Sequence, residues 1–258
     1  MSRMETLRSS HSATNPRGGR GARRWRQLAS PPVFHGVAGQ LVPWFAGLAA
    51  VFASAGLVFA FGIAPTDHQQ GEVYRILFIH VPAAWMSMFL YLVAALHAAL
   101  GLVFNSRLSP LMARAVAPTG ALFTVIALWT GAVWGKPTWG TWWVWDARLT
   151  SELILLFLYL GYLGLVNATD DPRRADRGGA ILLLAGAINI PVIYFSVQWW
   201  NTLHQGASIR LTAEPTIALP MLAGLLLMTV ACWAYSVAVA LARVRCLIAE
   251  RERMEGRA

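Results

Sequence analysis

Apolar positions along this chain gather into long, nearly uninterrupted stretches separated by short polar connections. Six stretches are long enough to span a bilayer, at roughly 43–64, 79–104, 116–134, 150–167, 179–198 and 218–241. Crossing about 30 Å of hydrocarbon takes about 20 predominantly apolar residues in a helix. The pattern therefore predicts an all-α integral membrane protein built as a bundle of six transmembrane helices, with no soluble domain left over. Pro82, Pro118 and Pro191 fall within or near these stretches. Neighbouring helices tolerate such prolines by satisfying the carbonyls they free.

Composition strengthens this picture. The 258 residues are 57% hydrophobic and 13% charged, and mean hydropathy is +0.51, whereas soluble domains carry about 25% charged residues. The formal charge of +9 is nearly all arginine, with Lys136 the only lysine. These cations sit at the chain ends and in the short connections, which argues for membrane orientation and against a nucleic-acid partner. Seventeen of the 21 Lys and Arg residues fall on one side of the six-span arrangement. Arg75, Lys136, Arg148 and Arg210 fall on the other. The positive-inside rule then places both termini in the cytoplasm and the connections 65–78, 134–149 and 199–217 on the outward, periplasmic face.

The arginine-rich residues 1–24 read as a disordered cytoplasmic tail, 25–242 as the membrane domain and 243–258 as a cytoplasmic C-terminal tail. Within the second segment, 25–36 reads as a short interfacial stretch. The tail is too long and too arginine-rich for a signal-peptide n-region, and no small-residue cleavage site ends the apolar run that follows. The two cysteines, Cys232 and Cys246, make no CxxC, zinc or haem-attachment spacing.

The outward connections hold the unusual chemistry. Seven of twelve tryptophans (134, 139, 142, 143, 145, 199 and 200) lie in or beside them. An interfacial aromatic belt explains a lone Trp44, Trp85 or Trp233. It explains poorly the cluster Trp139, Trp142, Trp143 and Trp145 set among Gly140, Thr141 and Val144. The other reading is a shelf of aromatic faces for a flat apolar ligand.

Of the six histidines, His11, His35 and His68 lie in polar or cytoplasmic segments. His97 lies well inside the second span, where an ionisable group is either functional or a neutral side chain bonded to a neighbouring helix. His80 and His204 flank the tryptophan segment on its own face. Zinc usually asks for four N, S or O ligands and no aromatic shelf. Haem asks for axial histidines, a platform for its ring, and cations for two propionates, a role to which the arginine fork is suited. Arg75, Arg148, Lys136 and Arg210 are the four cations on this face, with Arg75 and Arg148 the foremost candidates for that role, although each taken alone reads more readily as a surface charge or a headgroup contact. Asp146 reads as a partner for Arg148 or an indole N–H. Thr150 or Ser151 reads as the N-cap of the fourth span, with Glu152 in its first turn. His80 and His97 are seventeen residues apart, about 25 Å along a continuous helix at about 1.5 Å per residue, so they cannot ligate one iron together.

At Trp134–Phe157, "WGKPTWGTWWVWDARLTSELILLF", the chain closely resembles the haem-handling family of c-type cytochrome maturation, in its CcmC branch. The tryptophan-rich signature is Trp139-Gly-Thr-Trp-Trp-Val-Trp-Asp146. The likeness extends through "YRILFIHVPAAWMSM" (74–88) and "YFSVQWWNTLHQG" (194–206), and covers about residues 25–250. The resemblance implies a six-helix protein of the bacterial inner membrane that binds haem b at the periplasmic surface. The tryptophan segment, here Trp134, Trp139, Trp142, Trp143, Trp145 and Asp146, would form the platform, with His80 and His204 as axial ligands; Arg75 and Arg148 join the binding site on the reading of the residues given above. It further implies delivery of haem to the periplasmic chaperone CcmE, with the small membrane protein CcmD and the ABC transporter subunits CcmA and CcmB as partners in the lipid bilayer. The transfer would be lyase-like, without a conventional catalytic site. The alternative within the same family is a haem exporter or channel, in which the outward site is only an exit. Outside it stands a structural assembly subunit whose tryptophans pack against a partner.

Overall fold

The computed structural model describes residues 30–200, 202, 204 and 216–256. The predicted tail 1–24, residues 25–29 and Arg210 lie outside these. Six stretches of helix among the described residues are long and apolar enough to cross a membrane. The helices are α1 (Pro31–Val58), α2 (Leu77–Phe104), α3 (Ser109–Trp139), α4 (Ala147–Ala168), α5 (Pro172–Gly186), α6 (Asn189–Trp199) and α7 (Leu219–Glu255). Together α5 and α6 make one interrupted span.

The interruption has a local cause. Pro191 lies in the first turn of α6, and a proline has no N–H for the carbonyl four residues earlier and crowds it. The chain therefore steps out of the helix at Ala187 and Ile188 and restarts at Asn189. At the end of α1 the helix widens into a π-helical turn over Phe59–Ile63. Arg75 closes that turn, donating to the carbonyls of Ala60 and Ala64 while pairing with Glu72. A short 3-10 turn, Glu72–Ile76, then leads into α2. Asn105, in the left-handed region at φ 48°, ends α2. Gly140, at φ 78°, ends α3, its N–H donating to the Lys136 carbonyl at 3.0 Å. A glycine adopts that conformation without steric cost.

Several boundaries differ from the sequence reading, that of α1 among them, which begins at Pro31 and not near 43 and so takes in the second half of the expected interfacial stretch 25–36. The connection expected over 134–149 is shorter, because α3 continues through Pro137 to Trp139. Trp134 and Trp139 are therefore helical side chains. The fourth span begins earlier than expected, and its N-cap is Asp146, which accepts from the Leu149 N–H at 2.8 Å. Thr150 and Ser151 thus lie within the helix, and Ser151 donates to the Ala147 carbonyl. A carboxylate placed to reach an orphan N–H of the first turn caps the helix, whereas a hydroxyl one turn later finds the N–H groups already paired. The last helix also runs past its apolar stretch, to Glu255.

Burial ranks the helices by position. The most apolar window of α3 is 61% buried against 11% for that of α1 with its π turn, so α3 is central and α1 peripheral. α1 packs chiefly on α7, and α3 touches α2, α4 and α7. The core gathers between α2, α3, α4 and α5 around Tyr91, Tyr159, Tyr162 and Leu183. Large apolar side chains such as Trp44, Val103 and Trp129 stay exposed on the outer faces, where hydrocarbon is the solvent. Gly120 on α3 receives the Tyr159 hydroxyl and Gly186 receives that of Tyr91, so close that a methyl group at either position would overlap the phenol. These contacts draw α4 onto α3 and α5 onto α2. They also fix Tyr159 against α2, where its hydroxyl donates to the Ser87 carbonyl at 2.8 Å.

Candidate functional site

Where the ends of α2, α3 and α4 converge with the connection after α6, they enclose about 540 Å³ of space, part of it open to the surroundings. His80 on α2 faces it from one wall, with Gly131 and Gly135 of α3 alongside. Trp139, Trp142 and Trp143 stand over it. Arg148, Glu152 and His204 add charged and titratable groups to the lining, beside apolar residues such as Leu128, Val144 and Leu149.

The absence of a side chain at Gly131 brings His80 close to α3, where a Cβ would lie 3.0 Å from its Cε1. There, His80 Nδ1 lies 3.1 Å from the Thr130 hydroxyl. That hydroxyl has one proton, which it donates to the Ile126 carbonyl at 2.6 Å, so it must accept from the imidazole. His80 therefore carries its proton on Nδ1, and Nε2 keeps a free lone pair. Trp134, anchored by its Nε1–H donating to Gln70 at 2.8 Å, sets its ring edge-on to His80 at 5.6 Å between centroids.

His204 repeats the arrangement with different parts. Its Nδ1 lies 3.2 Å from the Thr202 hydroxyl and 3.5 Å from Asp146 Oδ2. The Thr202 hydroxyl donates to Asp146 Oδ2, so it too accepts from Nδ1–H and leaves Nε2 free. Burial, together with the positive charge of Arg148, pushes the His204 imidazole below its ordinary range, with Asp146 opposing. At neutral pH the ring is thus uncharged and able to ligate a metal. Trp139 packs on it, with ring centroids 5.1 Å apart and planes tilted by 56°. A ring whose Nδ1–H is held by an oxygen while Nε2 stays open is the usual state of a metal-binding histidine. Among the described residues, no three His, Cys, Asp or Glu side chains gather as a metal-ion group. Two imidazoles alone suit a metal whose other ligands come from a porphyrin.

The remaining predicted residues divide. Trp142 and Trp143 line the cavity, and the buried Trp143 indole N–H has no hydrogen-bond partner among the described residues, a donor that a ligand acceptor would satisfy. Trp145 is 75% exposed and packs edge-on to Trp143 outside the lining. Arg148 reaches the cavity with one N–H donating to the Ile193 carbonyl at 2.7 Å. Arg75 does not line it, being occupied at the end of α1. Lys136 donates to the Gly140 carbonyl at 3.1 Å. Asp146 serves as helix cap and as the Thr202–His204 anchor, and forms no ion pair with Arg148 among the described residues.

Sequence reasoning missed Thr130, Thr202 and Gln70, and misjudged Glu152. The expected place was the first turn beside the helix dipole, but Glu152 is 6% exposed, lines the cavity and lies 2.7 Å from the Ser87 hydroxyl. Two signals were present. A carboxyl inside an apolar span is a functional candidate by default, and Thr130 precedes Trp134 by one helical turn.

Comparison with known proteins gives the family to which the chain is similar. The family model for Heme exporter protein C matches residues 24–258. Heme exporter protein C of Escherichia coli (strain K12) is 50% identical over 196 residues, covering 76% of this chain and 80% of that protein. Its counterpart in Haemophilus influenzae is 48% identical over 206 residues, 79% of this chain and 84% of the relative. The protein of that name in Bradyrhizobium diazoefficiens is 46% identical over 218 residues, 84% of this chain and 82% of the relative.

Proposed function

Because this chain belongs to the Heme exporter protein C (CcmC) family, a multi-pass membrane family that handles haem in c-type cytochrome maturation, we propose that it holds haem b between His80 and His204 at the periplasmic face of the inner membrane and hands it to the chaperone CcmE. The observation that carries this reading is the matched pair of imidazoles on one cavity, each with Nδ1 tied to a threonine hydroxyl that has no second proton to give. The orientation rests on the distribution of Lys and Arg. CcmD, CcmA and CcmB are its proposed partners in the bilayer.

Each residue then has a task. Thr130 and Thr202 set the tautomer and tilt of the two ligands. Trp139, Trp142 and Trp143 flank the ring. Arg148 and the unpaired indole N–H of Trp143 meet the propionates. Haem supplies the iron that the two Nε2 lone pairs bind.

The two ligands are held unequally, and that suits a donor. His80 belongs to a helix packed on α3, whereas His204 lies in the connection between α6 and α7 and depends on Thr202 and Asp146. In the handover, His204 is the ligand to be exchanged for one from the chaperone, while His80 retains the iron until the transfer is complete.

The test is the absorption spectrum of purified protein, oxidised and reduced, beside His80→Ala, His204→Ala and the double variant. A six-coordinate low-spin signature is expected in the native protein, with a weaker or five-coordinate form in each single variant and loss in the double. Chaperone loading should fall in all three. Unchanged spectra and loading in both single variants would sink the ligand assignment.

A further inference from the structure

The inner end of the cavity contains a hydrogen-bond arrangement that haem ligation does not use. The Ser87 hydroxyl lies 2.8 Å from the Ala84 carbonyl and 2.7 Å from Glu152 Oε1. A serine hydroxyl has one proton and cannot donate fully to both. Both short contacts are satisfied when Ser87 donates to Ala84 and Glu152, carrying its own proton, donates to Ser87. A carboxylate would instead compete with the Ala84 carbonyl for a single hydrogen.

A second observation agrees. Arg148 precedes Glu152 by four residues on α4, the spacing at which opposite charges pair along a helix, and both line the cavity. Yet no ion pair joins them among the described residues, and Arg148 turns to the Ile193 carbonyl. An ionised Glu152 with 6% exposure would have every reason to draw that guanidinium across, since a buried charge without a partner is costly. A neutral acid has none.

We infer that Glu152 is a proton-carrying gate of the haem site: protonated, it leaves the Arg148 charge to the anionic propionates, and ionised, it competes for Arg148 and repels them, favouring release. The step is a proton transfer between the Glu152 carboxyl and solvent at the open cavity, with no bond to haem formed or broken. This inference rests on the haem reading above and names the group that makes the site's affinity depend on protons. Among the described residues, the charged and titratable groups around Glu152 are Arg148 and Tyr159 on its own helix, Tyr91 on α2 beyond Tyr159, and His80 and His204 across the cavity, with Asp146 beside His204. Tyr159 donates to the Ser87 carbonyl, so it supports the arrangement through the backbone. The sign follows directly. The porphyrin-bound state favours the proton, so affinity is highest while Glu152 is protonated and falls as rising pH removes that proton.

The test uses iron-free protoporphyrin IX, which has the same propionates but makes no demand on the imidazoles. Its affinity for the purified full chain is measured between about pH 6 and pH 9, where free carboxylates of this kind are already ionised. Native protein should lose roughly ten- to thirtyfold in affinity over that range, the scale of one like-charge contact in a partly buried site. Glu152→Gln, which keeps the shape and stays neutral, should hold the low-pH affinity throughout, apart from the smaller slope that both proteins owe to the histidines. The dimethyl ester of protoporphyrin, lacking the anionic groups, should bind native protein with little pH dependence. Identical pH profiles for native and Glu152→Gln proteins overturn the inference.

Infrared difference spectroscopy decides the matter without a ligand. A protonated-carboxyl band present at about pH 6 and lost by about pH 9, shifted in Ser87→Ala and absent in Glu152→Gln, is expected. Its absence from the native protein at the lower pH also overturns the inference, even if Glu152→Gln does not fold. If neither native protein nor variant binds any porphyrin at any pH, the haem reading itself fails and this inference falls with it.

Discussion

Asp146 joins the fold to the site, and removing it separates two effects that differ in kind. One carboxylate oxygen accepts from the Leu149 N–H at 2.8 Å and caps α4, while the other accepts from the Thr202 hydroxyl and lies 3.5 Å from His204 Nδ1. Asp146→Ala removes a cap, which costs about 1 kcal/mol. It also strands a partly buried hydroxyl, which costs about 1–3 kcal/mol more. Thr202, relieved of its acceptor, can turn its own proton towards the imidazole, and His204 loses both its tautomer and its tilt. Partners in this position are worth about 10–100-fold in metal affinity, or about 1.4–2.7 kcal/mol.

Two companion variants divide these terms. Asp146→Asn caps nearly as well, so it should melt close to the native temperature while binding haem about tenfold more weakly. Thr202→Val leaves the cap untouched and should lower haem affinity with little change in melting. The measurements are circular-dichroism melts in detergent and haem titrations followed by absorption. If Asp146→Ala melts lower but binds haem with native affinity and spectrum, the carboxylate is only a cap, and the proposed control of His204 is wrong.

Two further substitutions probe the frame around the site. Gly120→Ala places a methyl group where the Tyr159 hydroxyl lies and should destabilise by about 1–3 kcal/mol or more, as overpacking does; an unchanged melting temperature would refute the close packing of α3 and α4. Arg148→Ala should weaken protoporphyrin binding roughly tenfold, the loss of about one charge-assisted hydrogen bond. Arg75→Ala, which frees the Ala60 and Ala64 carbonyls at the end of α1, should lower thermal stability while leaving porphyrin affinity unchanged. The opposite outcome, affinity lost with Arg75 and kept with Arg148, would move the propionate contact to the other arginine.

Membrane-spanning architecture was legible in the residues because hydrocarbon is an undemanding but strict solvent. It requires long apolar stretches with internally satisfied backbones, and six such stretches stand in the chain. The tryptophan segment and His80 and His204 also stood out, since large rings and imidazoles at the ends of apolar stretches are costly to leave without a task. Local caps were harder to read. The choice among Asp146, Thr150 and Ser151 turned on which side chain reaches the first free N–H groups, and several candidates stood within one turn. The extent of α3 was obscured by Gly135, Gly140 and Pro137, which mark a turn by composition although only Gly140 ends the helix.

What only the tertiary structure decided is which groups share the cavity and in what protonation state. Arg75 and Arg148 look alike along the chain, yet one closes a π turn and the other lines the cavity. Thr202 and Ser87 carry no individual signal, and those of Thr130 and Glu152 name no role, because a hydroxyl or a carboxyl acquires its role from the partner across the interface. Tautomers and protons are set by counting donors against acceptors at contacts such as His80–Thr130 and Glu152–Ser87, whose members lie fifty and sixty-five residues apart in the chain. The sequence alone determined that the chain spans the membrane and where its aromatic and imidazole groups gather. Helix packing determined which lone pairs were left free to bind.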